Sequence, residues 1–584
     1  MRKCIFVTLG FILSLCLGGC NPTVQETKNS KTNPNVTEKA KLAVSVEKPL
    51  KKEKLQIVFC FGQSNMVGLA SAETAWYLTQ PQYIPPKEIA VKKTRYFDWN
   101  FYWSGATYYE GPQKEEVLAL VEERRLSRSK WRQRCNGAHG PWKTEEWGPK
   151  PGKGRGNMYP FLDKKAEEEG IYKRIAKILD SKENQFNVND AYGEMIIRDQ
   201  TIAEELKRVR EIYLNGTESK DFDEFDAIVD AAIKSKKLIT KVGKGVDFLD
   251  AAKHRAFYAQ LAKKHLNLPI ANRTYIKAHG HVSGPQSKTK NAGNQKNASG
   301  RLTIGYGGGI TTMGPEYGVG ITLERLVDAP ILIVKCSWGN TSIADAWRPS
   351  SLDGVETATE KVKREASNKK NAEDAKKAGR EFTPRPAPIP TGKPSYSWGM
   401  TMPEVEKVLA NPGEYHPDYD PKVGYDIAGL VWFQGYSDKD NPAYGELLAE
   451  MVKDFRKKVK TPDMPVVVGT LGMASFKQSA FSEGANAGML QASQMPDLAG
   501  TLDVVNTAPF YPLEFNLLKQ VRENVEKDSP EYMKVMTMTK RATSNKGFHY
   551  HGSAKCFLLM GDAMGRSLAN LMAGGEPLIN NSVK

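Results

Sequence analysis

The sequence predicts an α/β protein built on a parallel sheet, and its patterning gives three reasons. Five short runs are continuously apolar instead of alternating, which is typical of strands covered on both faces. Helical patterns such as Ala443–Phe455 lie between several of these runs, as in α/β proteins. Polar residues able to do chemistry directly follow several runs, at the strand ends where such sheets form their sites. The runs are Leu55–Phe61, Pro330–Lys335, Ile427–Phe433, Met464–Thr470 and Leu502–Asn506.

Length and charge narrow the classes of protein only moderately. The 584 residues fit one enlarged domain or two to four ordinary ones. The net charge of +16 fits an anionic partner, such as nucleic acid, an anionic membrane surface or an acidic polysaccharide, or simply a lysine-rich solvated surface. The second explanation is favoured because the basic residues are spread through acid-rich helical stretches. No nucleic-acid-binding motif is present, so no nucleic-acid partner is predicted.

The N-terminus is typical of an exported protein. A short basic start, Met1–Lys3, precedes an uncharged run of 13 residues, Ile5–Leu17, which is shorter than the ~20 residues of a membrane span. The run ends in Leu-Gly-Gly-Cys20, which resembles a bacterial lipoprotein box; an ordinary secretory peptide ending at a cysteine is the alternative. The resemblance implies a lipid on Cys20 and anchoring to the cell envelope. Asn21 follows instead of aspartate, which favours the outer membrane, on its periplasmic or surface side.

Composition divides the chain into three parts. Residues 1–20 are the signal peptide, 21–53 a polar disordered tether, and 54–580 one domain. That domain is interrupted by insertions at about 75–300 and 352–424. The first insertion is expected to be mostly helical, with a polar loop at 285–301, and a last helix is expected over Ser553–Met572.

The cysteines point to packing and not to metal or disulfides. Cys60, Cys336 and Cys556 lie in apolar runs and are predicted to be buried free thiols. No CxxC pair or clustered His and Cys spacing indicates a metal site, so no metal is predicted.

Ser64 is the first candidate for chemistry. It follows the apolar run Leu55–Phe61 within Gly62-Gln63-Ser64-Asn65-Met66-Val67-Gly68. A tight turn after a strand exposes the hydroxyl for nucleophilic attack, and nearby backbone N–H groups can hold an oxyanion. The position alone equally fits a serine that caps a helix.

The wider pattern resembles a known family. Gly-Gln-Ser-Asn-Met-x-Gly is similar to the first block of the sialate O-acetylesterase-like domain, carbohydrate esterase family six of the SGNH hydrolase superfamily. The resemblance implies a three-layer α/β/α SGNH-hydrolase, flavodoxin-like sandwich with Ser64 as nucleophile. Other blocks follow in the family's order, within segments 54–75, 305–350 and 425–575. They are Gly314–Gly320, Lys335–Ser342, Trp432–Asp438 and Gly547–Tyr550.

These blocks imply the oxyanion donors. Gly339 stands in a block that is usually Gly-Gly-Thr, with Asn340 where a second glycine is common, so either residue can supply the hydrogen bond. Gln434 carries an amide suited to the same role, although it could instead cap a turn. Tyr436 occupies a position where some family members have a glutamate.

The last block implies the base. His549 is expected to take the proton of Ser64, with His551 as a nearby decoy. The family's aspartate three residues before the histidine is Lys546 here. Asp438 is therefore predicted as the third member of a triad. The alternatives are a helix-capping role for Asp438, and Asn545 or a backbone carbonyl holding the imidazole of a dyad.

The predicted function is a serine esterase that removes O-acetyl groups from carbohydrate through an acyl-enzyme intermediate, with no cofactor. Its expected partners are an acetylated carbohydrate, either a polysaccharide or a sialic-acid-like glycan, and a membrane reached through the lipid anchor. One alternative is a non-catalytic carbohydrate-binding surface lipoprotein on a degenerate esterase fold; another is an esterase for non-sugar acyl chains. Aromatic residues between Trp76 and Tyr109 fit sugar stacking or, as favoured, core packing.

Overall fold

The computed structural model describes most of the domain predicted after residue 53. Nothing in it bears on the signal peptide, Cys20, residues 21–48 of the tether or the segment with Asn545 and Lys546, which lie outside the described residues. Residues 49–53, the last part of the predicted tether, are described, and Leu50–Lys51 there pair with Val327–Asp328. All the described residues belong to one compact unit, Glu47–Lys584. They are 49–81, 83, 113–120, 123, 170–171, 173–175, 177–178, 199–200, 202–214, 219–234, 248–281, 296–473, 483–544 and 549–578.

A central sheet organises this unit. In the described part of the chain it has seven strands in the order β7-β6-β5-β1-β4-β2-β3, numbered along the chain. Every pairing is parallel except that of β2 with β3. The strands are β1 Leu55–Gly62, β2 Thr274–Gly280, β3 Lys296–Arg301, β4 Ile331–Ser337, β5 Tyr425–Phe433, β6 Val466–Gly469 and β7 Leu502–Val505.

Helices complete the fold. The four-residue helix α1 follows β1, and the longer helices fall in both insertions and between the later strands. The described residues also form two small two-stranded sheets. In the first, Leu50–Lys51 pairs with Val327–Asp328, and in the second, Ala70–Ser71 pairs with Thr312–Met313. The helices are α1 Ser64–Val67, α2 Ala203–Leu214, α3 Ser219–Lys234, α4 Phe248–Leu266, α5 Pro315–Leu326, α6 Ala358–Lys377, α7 Tyr396–Ala410, α8 Tyr444–Val459, α9 Glu483–Ser493, α10 Leu513–Asn524, α11 Pro530–Ala542 and α12 Ala554–Met572.

The sheet is covered on both faces, as the continuous apolar runs predict. Alternate side chains of β1 enter two different cores: Val58 and Cys60 pack with α5 and α12, whereas Phe59 and Phe61 pack with α7 and α8. Because successive side chains of a strand point to opposite faces, these cores form separate layers. The predicted three-layer α/β/α fold with a parallel sheet is therefore confirmed.

Each of the five predicted strands is present, but the first insertion contributes two more. Residues 296–301, expected within a polar loop, form β3, which pairs with β2 at the sheet edge. The expectation of a loop was wrong there because an edge strand is ordered by backbone hydrogen bonds, which a polar side-chain pattern does not reveal. In the described part of the insertion, α2–α4 provide the expected helices. Arg208 of α2 binds the buried Asp562 of α12 at 2.7 Å.

The three described cysteines outside the N-terminus are buried free thiols, as predicted. Burial raises the pKa of both Cys60 and Cys336, which makes these thiols poor nucleophiles. Among the described residues, no helix combines the length and the hydropathy that a membrane span needs.

The ion pair between β4 and α5 lies inside the protein. Lys335 of β4 and Glu316 of α5 are both fully buried, and their charged atoms are 2.9 Å apart. Burial lowers the pKa of Lys335 and raises that of Glu316, and the attraction between them opposes both shifts. Lys335 Nζ also donates to the carbonyls of Val67 at 3.0 Å and Tyr306 at 2.9 Å.

Breaking this pair is expected to destabilise the fold. Lys335→Met or Glu316→Gln should lower the free energy of unfolding by about 3–5 kcal/mol, because each leaves a buried partner uncompensated. Lys54→Met removes an exposed pair with Asp426 and should cost about 1 kcal/mol or less. Urea unfolding measures all three. The double variant Lys335→Met/Glu316→Gln should lose less than the sum of the single losses, and full additivity would contradict a coupled pair.

Candidate active site

Three neighbouring strands bring the predicted site residues to one edge of the sheet. Gly62 at the end of β1 pairs with Ser337 of β4 on one side and Phe433 of β5 on the other. Ser64, Gly339 and Gln434 lie one or two residues beyond the ends of these adjacent strands and are therefore at the same edge of the sheet.

Ser64 starts the short helix α1 and is half-buried. The turn before it is fixed by the Gln63 N–H, which donates to the Phe433 carbonyl at 3.1 Å. The turn after it closes at Gly68, whose φ is +86° and whose added Cβ would lie 2.2 Å from the Gly314 nitrogen. A side chain at Gly68 is excluded both by this conformation and by the close approach. The turn that carries Ser64 is thus held at both ends.

His549 comes from the last block and lies against this turn. Its Nδ1 is 3.2 Å from the Oδ1 of Asn65, the residue directly after Ser64. Burial lowers the pKa of His549 from its usual value, so its imidazole is mostly neutral at pH 7. A neutral imidazole can accept a proton, which suits a general base.

His551 is directed elsewhere. Its Nε2 lies 3.1 Å from the Tyr511 hydroxyl, and its ring packs on Phe515 with 4.2 Å between centroids. His551 is buried in this aromatic cluster. Its surroundings are those of a core histidine, the role expected of the decoy.

Gln434 and Asp438 form a buried network. Gln434 Nε2 donates to Asp438 Oδ2 at 2.7 Å and to the Thr341 carbonyl at 2.9 Å, and its Oε1 accepts from Tyr444. The Ile343 N–H donates to the same Asp438 oxygen at 2.8 Å. Both amide hydrogens of Gln434 thus have acceptors in this structure, and its role as an oxyanion donor stays a prediction.

Asp438 is 4% exposed, and burial raises its pKa against the hydrogen bonds from Gln434 and Ile343 that lower it. Its Oδ1 accepts from Asn441 at 3.3 Å. The contacts of Asp438 therefore anchor the loop after β4 to the turn after β5. Its place as the acid behind His549 stays a prediction, which none of these contacts supports.

Gly339 and Asn340 form a turn beyond β4. Asn340 has a φ of +59°, a conformation that asparagine tolerates better than most residues. The Gly339 N–H donates to His281 Nδ1 at 2.9 Å. Because this nitrogen accepts, the proton of a neutral His281 ring resides on Nε2. The choice between Gly339 and Asn340 as oxyanion donor stays open.

Two residues of this site, His281 and Asn65, were assigned no role from the sequence. His281 directly follows β2, and its position after a strand is the signal that could have identified it, had that strand been recognised. Asn65 lies within the Gly62–Gly68 motif, and nothing in that motif indicates a contact with His549. Tyr436, the departure from the family pattern, is partly buried and lies under Lys439, whose Nζ is 4.9 Å from the ring centroid.

The aromatic stretch that begins at Trp76 and the side chains that could bind a metal are each described only in part. Trp76 and Tyr77 are buried in the core, in line with packing; most of the aromatic stretch that follows lies outside the described residues. Within the described ranges, no group of three or more His, Cys, Asp or Glu side chains is arranged to hold a metal ion.

Comparison with known proteins confirms the family resemblance over part of the chain. Residues 417–508 match the family described as carbohydrate esterase, sialic acid-specific acetylesterase. This segment contains β5, the Gln434–Asp438 turn, β6 and β7. No curated protein sequence matches the chain.

Several solved structures align with the chain at low identity. A protein from Arabidopsis thaliana aligns at 12% identity and a TM-score of 0.25, over 47% of this chain and 82% of its own. A carbohydrate acetylesterase from Xanthomonas citri aligns at 13% identity and a TM-score of 0.24, over 41% of this chain and 43% of its own. NanS aligns at 14% identity and a TM-score of 0.24, over 41% of this chain and 69% of its own. The strand order and registers define the fold without these alignments.

The anchoring contacts of Asp438 can be tested by stability. Asp438→Ala removes the acceptor of Ile343 and Gln434 and should lower the free energy of unfolding by about 2 kcal/mol, since buried donors then lack a partner. Asp440→Ala, at an exposed aspartate two residues on, should change it by less than about 0.5 kcal/mol. Urea denaturation compares the two variants. Equal stability of both would argue against an anchor.

Proposed function

We propose that this protein is a serine esterase that removes O-acetyl groups from carbohydrate through an acyl-enzyme. The contact between His549 and Asn65 carries the proposal, because it supports a role for His549 as a base beside the turn that bears Ser64. The family match over 417–508 supports the substrate class. An esterase of this kind needs a nucleophile, a base and oxyanion donors at one place. The strand ends supply candidates for the nucleophile and the oxyanion donors, and the segment before α12 supplies the candidate base, His549.

In the proposed reaction, His549 takes the hydroxyl proton of Ser64 while Oγ bonds to the acetyl carbonyl carbon. The tetrahedral oxyanion then collapses, the carbon–oxygen bond to the sugar breaks, and His549 returns the proton to the leaving alcohol. Water, deprotonated by His549, attacks the carbonyl carbon of the acetyl-serine; the bond to Oγ then breaks, His549 returns the proton to Oγ, and acetic acid leaves and ionises to acetate. Each step balances without a cofactor.

The oxyanion is proposed to be held by backbone N–H groups of Ser64 and of the Gly339–Asn340 turn, with Gln434 beside them. The Gly339 N–H donates to His281 Nδ1 in this structure, so a substrate oxygen would take the place of that ring nitrogen. Asp438 supports this side of the site by fixing Gln434 and the loop after Gly339.

The proposal predicts that activity depends on Ser64. Ser64→Ala should lower kcat/KM for acetate release from acetylated polysaccharides by at least about a thousandfold, because the nucleophile is lost. An organophosphonate should label Ser64 in the wild type. Ser351→Ala, at an exposed serine away from these contacts, should behave like the wild type. No acetate release from a broad panel of acetylated glycans, together with no labelling, would leave a non-catalytic binding protein.

We also propose that the protein is exported and held at the bacterial envelope by a lipid on Cys20, as the sequence motif implies. Radiolabelled palmitate should be incorporated into the wild type, and the protein should sediment with membranes. Cys20→Ala should abolish both, because the acceptor thiol is gone. Cys16→Ala, within the apolar run, should keep both. A wild-type protein without label would refute the anchor.

A further inference from the structure

The imidazole of His549 has an unexpected partner. Its Nδ1 faces the side-chain oxygen of Asn65 at 3.2 Å, and Asn65 is 5% exposed. In a serine hydrolase a carboxylate commonly occupies this position and fixes the tautomer of the base. Here the partner is a neutral amide, and it belongs to the residue covalently bonded to Ser64.

Asp438, the carboxylate that the sequence predicts as the partner of His549, has other partners in the structure. Asp438 accepts hydrogen bonds from Gln434, Ile343 and Asn441. An ionised carboxylate beside His549 would raise its pKa, yet that pKa is lowered, and burial is the one cause among the described residues. No charged group among the described residues therefore contributes to this shift in the pKa of His549.

We propose that Asn65 is the positioning residue of His549, its Oδ1 accepting the Nδ1–H so that the Nε2 lone pair is left to face Ser64. The inference rests on the proposed function, which gives His549 the role of base. It explains how a chain with lysine at the family's aspartate position can still orient its histidine. The positions of the proposed nucleophile and of the proposed base are then both fixed by the short helix α1.

The position of Asn65 makes this orientation rigid. Asn65 lies in the first turn of α1, between the Gln63 N–H bonded to Phe433 and Gly68 packed on Gly314. The carbonyl at the end of that helix, on Val67, accepts from the buried Lys335. A side chain on such a turn has little freedom to move, which is what a residue that orients a base requires.

The amide differs from a carboxylate in a measurable way. A carboxylate stabilises the imidazolium and raises the pKa of the histidine, whereas an amide fixes the tautomer and supplies no charge. His549 should therefore remain a neutral base below its usual pKa of about 6.5, and activity should fall only at a lower pH. Replacing Asn65 by aspartate restores the charge and should move that fall to higher pH.

The first experiment does not need activity. Long-range proton–nitrogen NMR of histidine-labelled Ser64→Ala protein, with the His549 signals assigned through His549→Gln, reports tautomer and pKa directly. His549 should be in the Nδ1–H form. Adding Asn65→Ala should shift it toward the Nε2–H form, and adding Asn65→Asp should raise its pKa by about 1 unit or more.

The second experiment is the pH profile of kcat/KM on an aryl acetate. Asn65→Asp should move the acid limb upward by about 1 pH unit. Asn65→Ala should lower kcat about ten- to a hundredfold with little change in KM, since a misoriented base affects the chemical step. Asn570→Ala, which removes a hydrogen bond to Glu576 near the far end of α12, is the matched control and should leave both unchanged. Thermal melts verify that each variant is folded.

The outcomes separate the inference from the function. If the tautomer, the pKa and the kinetics of folded Asn65 variants equal those of the parent proteins, the positioning role is wrong even if the wild type releases acetate. If the NMR changes appear while the wild type neither releases acetate nor labels at Ser64, the contact is real and the esterase proposal fails.

Discussion

Lys335 ties the turn that carries Ser64 to the interior of the protein. Its three ammonium protons are matched by three acceptors: the Val67 carbonyl, the Tyr306 carbonyl and the Glu316 carboxylate. Since a buried ammonium group tolerates few arrangements of its acceptors, the helix α1, the segment at Tyr306 and the helix α5 must keep a fixed geometry around it. The positions of Ser64 and Asn65 follow from this constraint.

The other side of the site is organised by a second buried charge. Asp438 draws together Gln434, which directly follows β5, and Ile343, which lies in the loop after β4; β5 and β4 are separated in the sheet by β1. Gln63, just before Ser64, donates to the Ser437 hydroxyl at 3.0 Å and joins the same network. The turn with Ser64 therefore lies between two polar supports, Lys335 and Asp438. Such preorganisation is what electrostatic stabilisation of an oxyanion requires.

The fold was largely readable from the sequence. The strand runs at 55–61, 330–335 and 427–433 are apolar because both faces of each strand are covered, and continuous hydropathy is a direct signature of that burial. β2 and β3 gave no such signature, because β3 is a polar edge strand and β2 carries Lys277 and His279 among its buried residues. These two strands are formed by hydrogen bonds to neighbouring strands, and local composition does not encode that pairing.

The candidate site was predictable in part. Ser64, Gly339 and Gln434 follow recognisable strands, and parallel register then places them on one edge. The contacts of Asp438, the His281 ring on the Gly339 N–H and the Asn65–His549 pair join residues from 4 to 484 positions apart. Spacing along the chain carries no information about which of several polar groups meets which.

The sequence by itself determined the class of fold, the strand ends where chemistry can occur and the types of residue placed there, because hydropathy and backbone preference act locally. Only the tertiary structure decided how those residues are partnered. It directed Asp438 to Gln434 and Ile343, and it brought His549 to Asn65. The reason is that a buried polar group must be satisfied by whichever partner the packing brings within hydrogen-bond distance, and packing is a property of the whole chain.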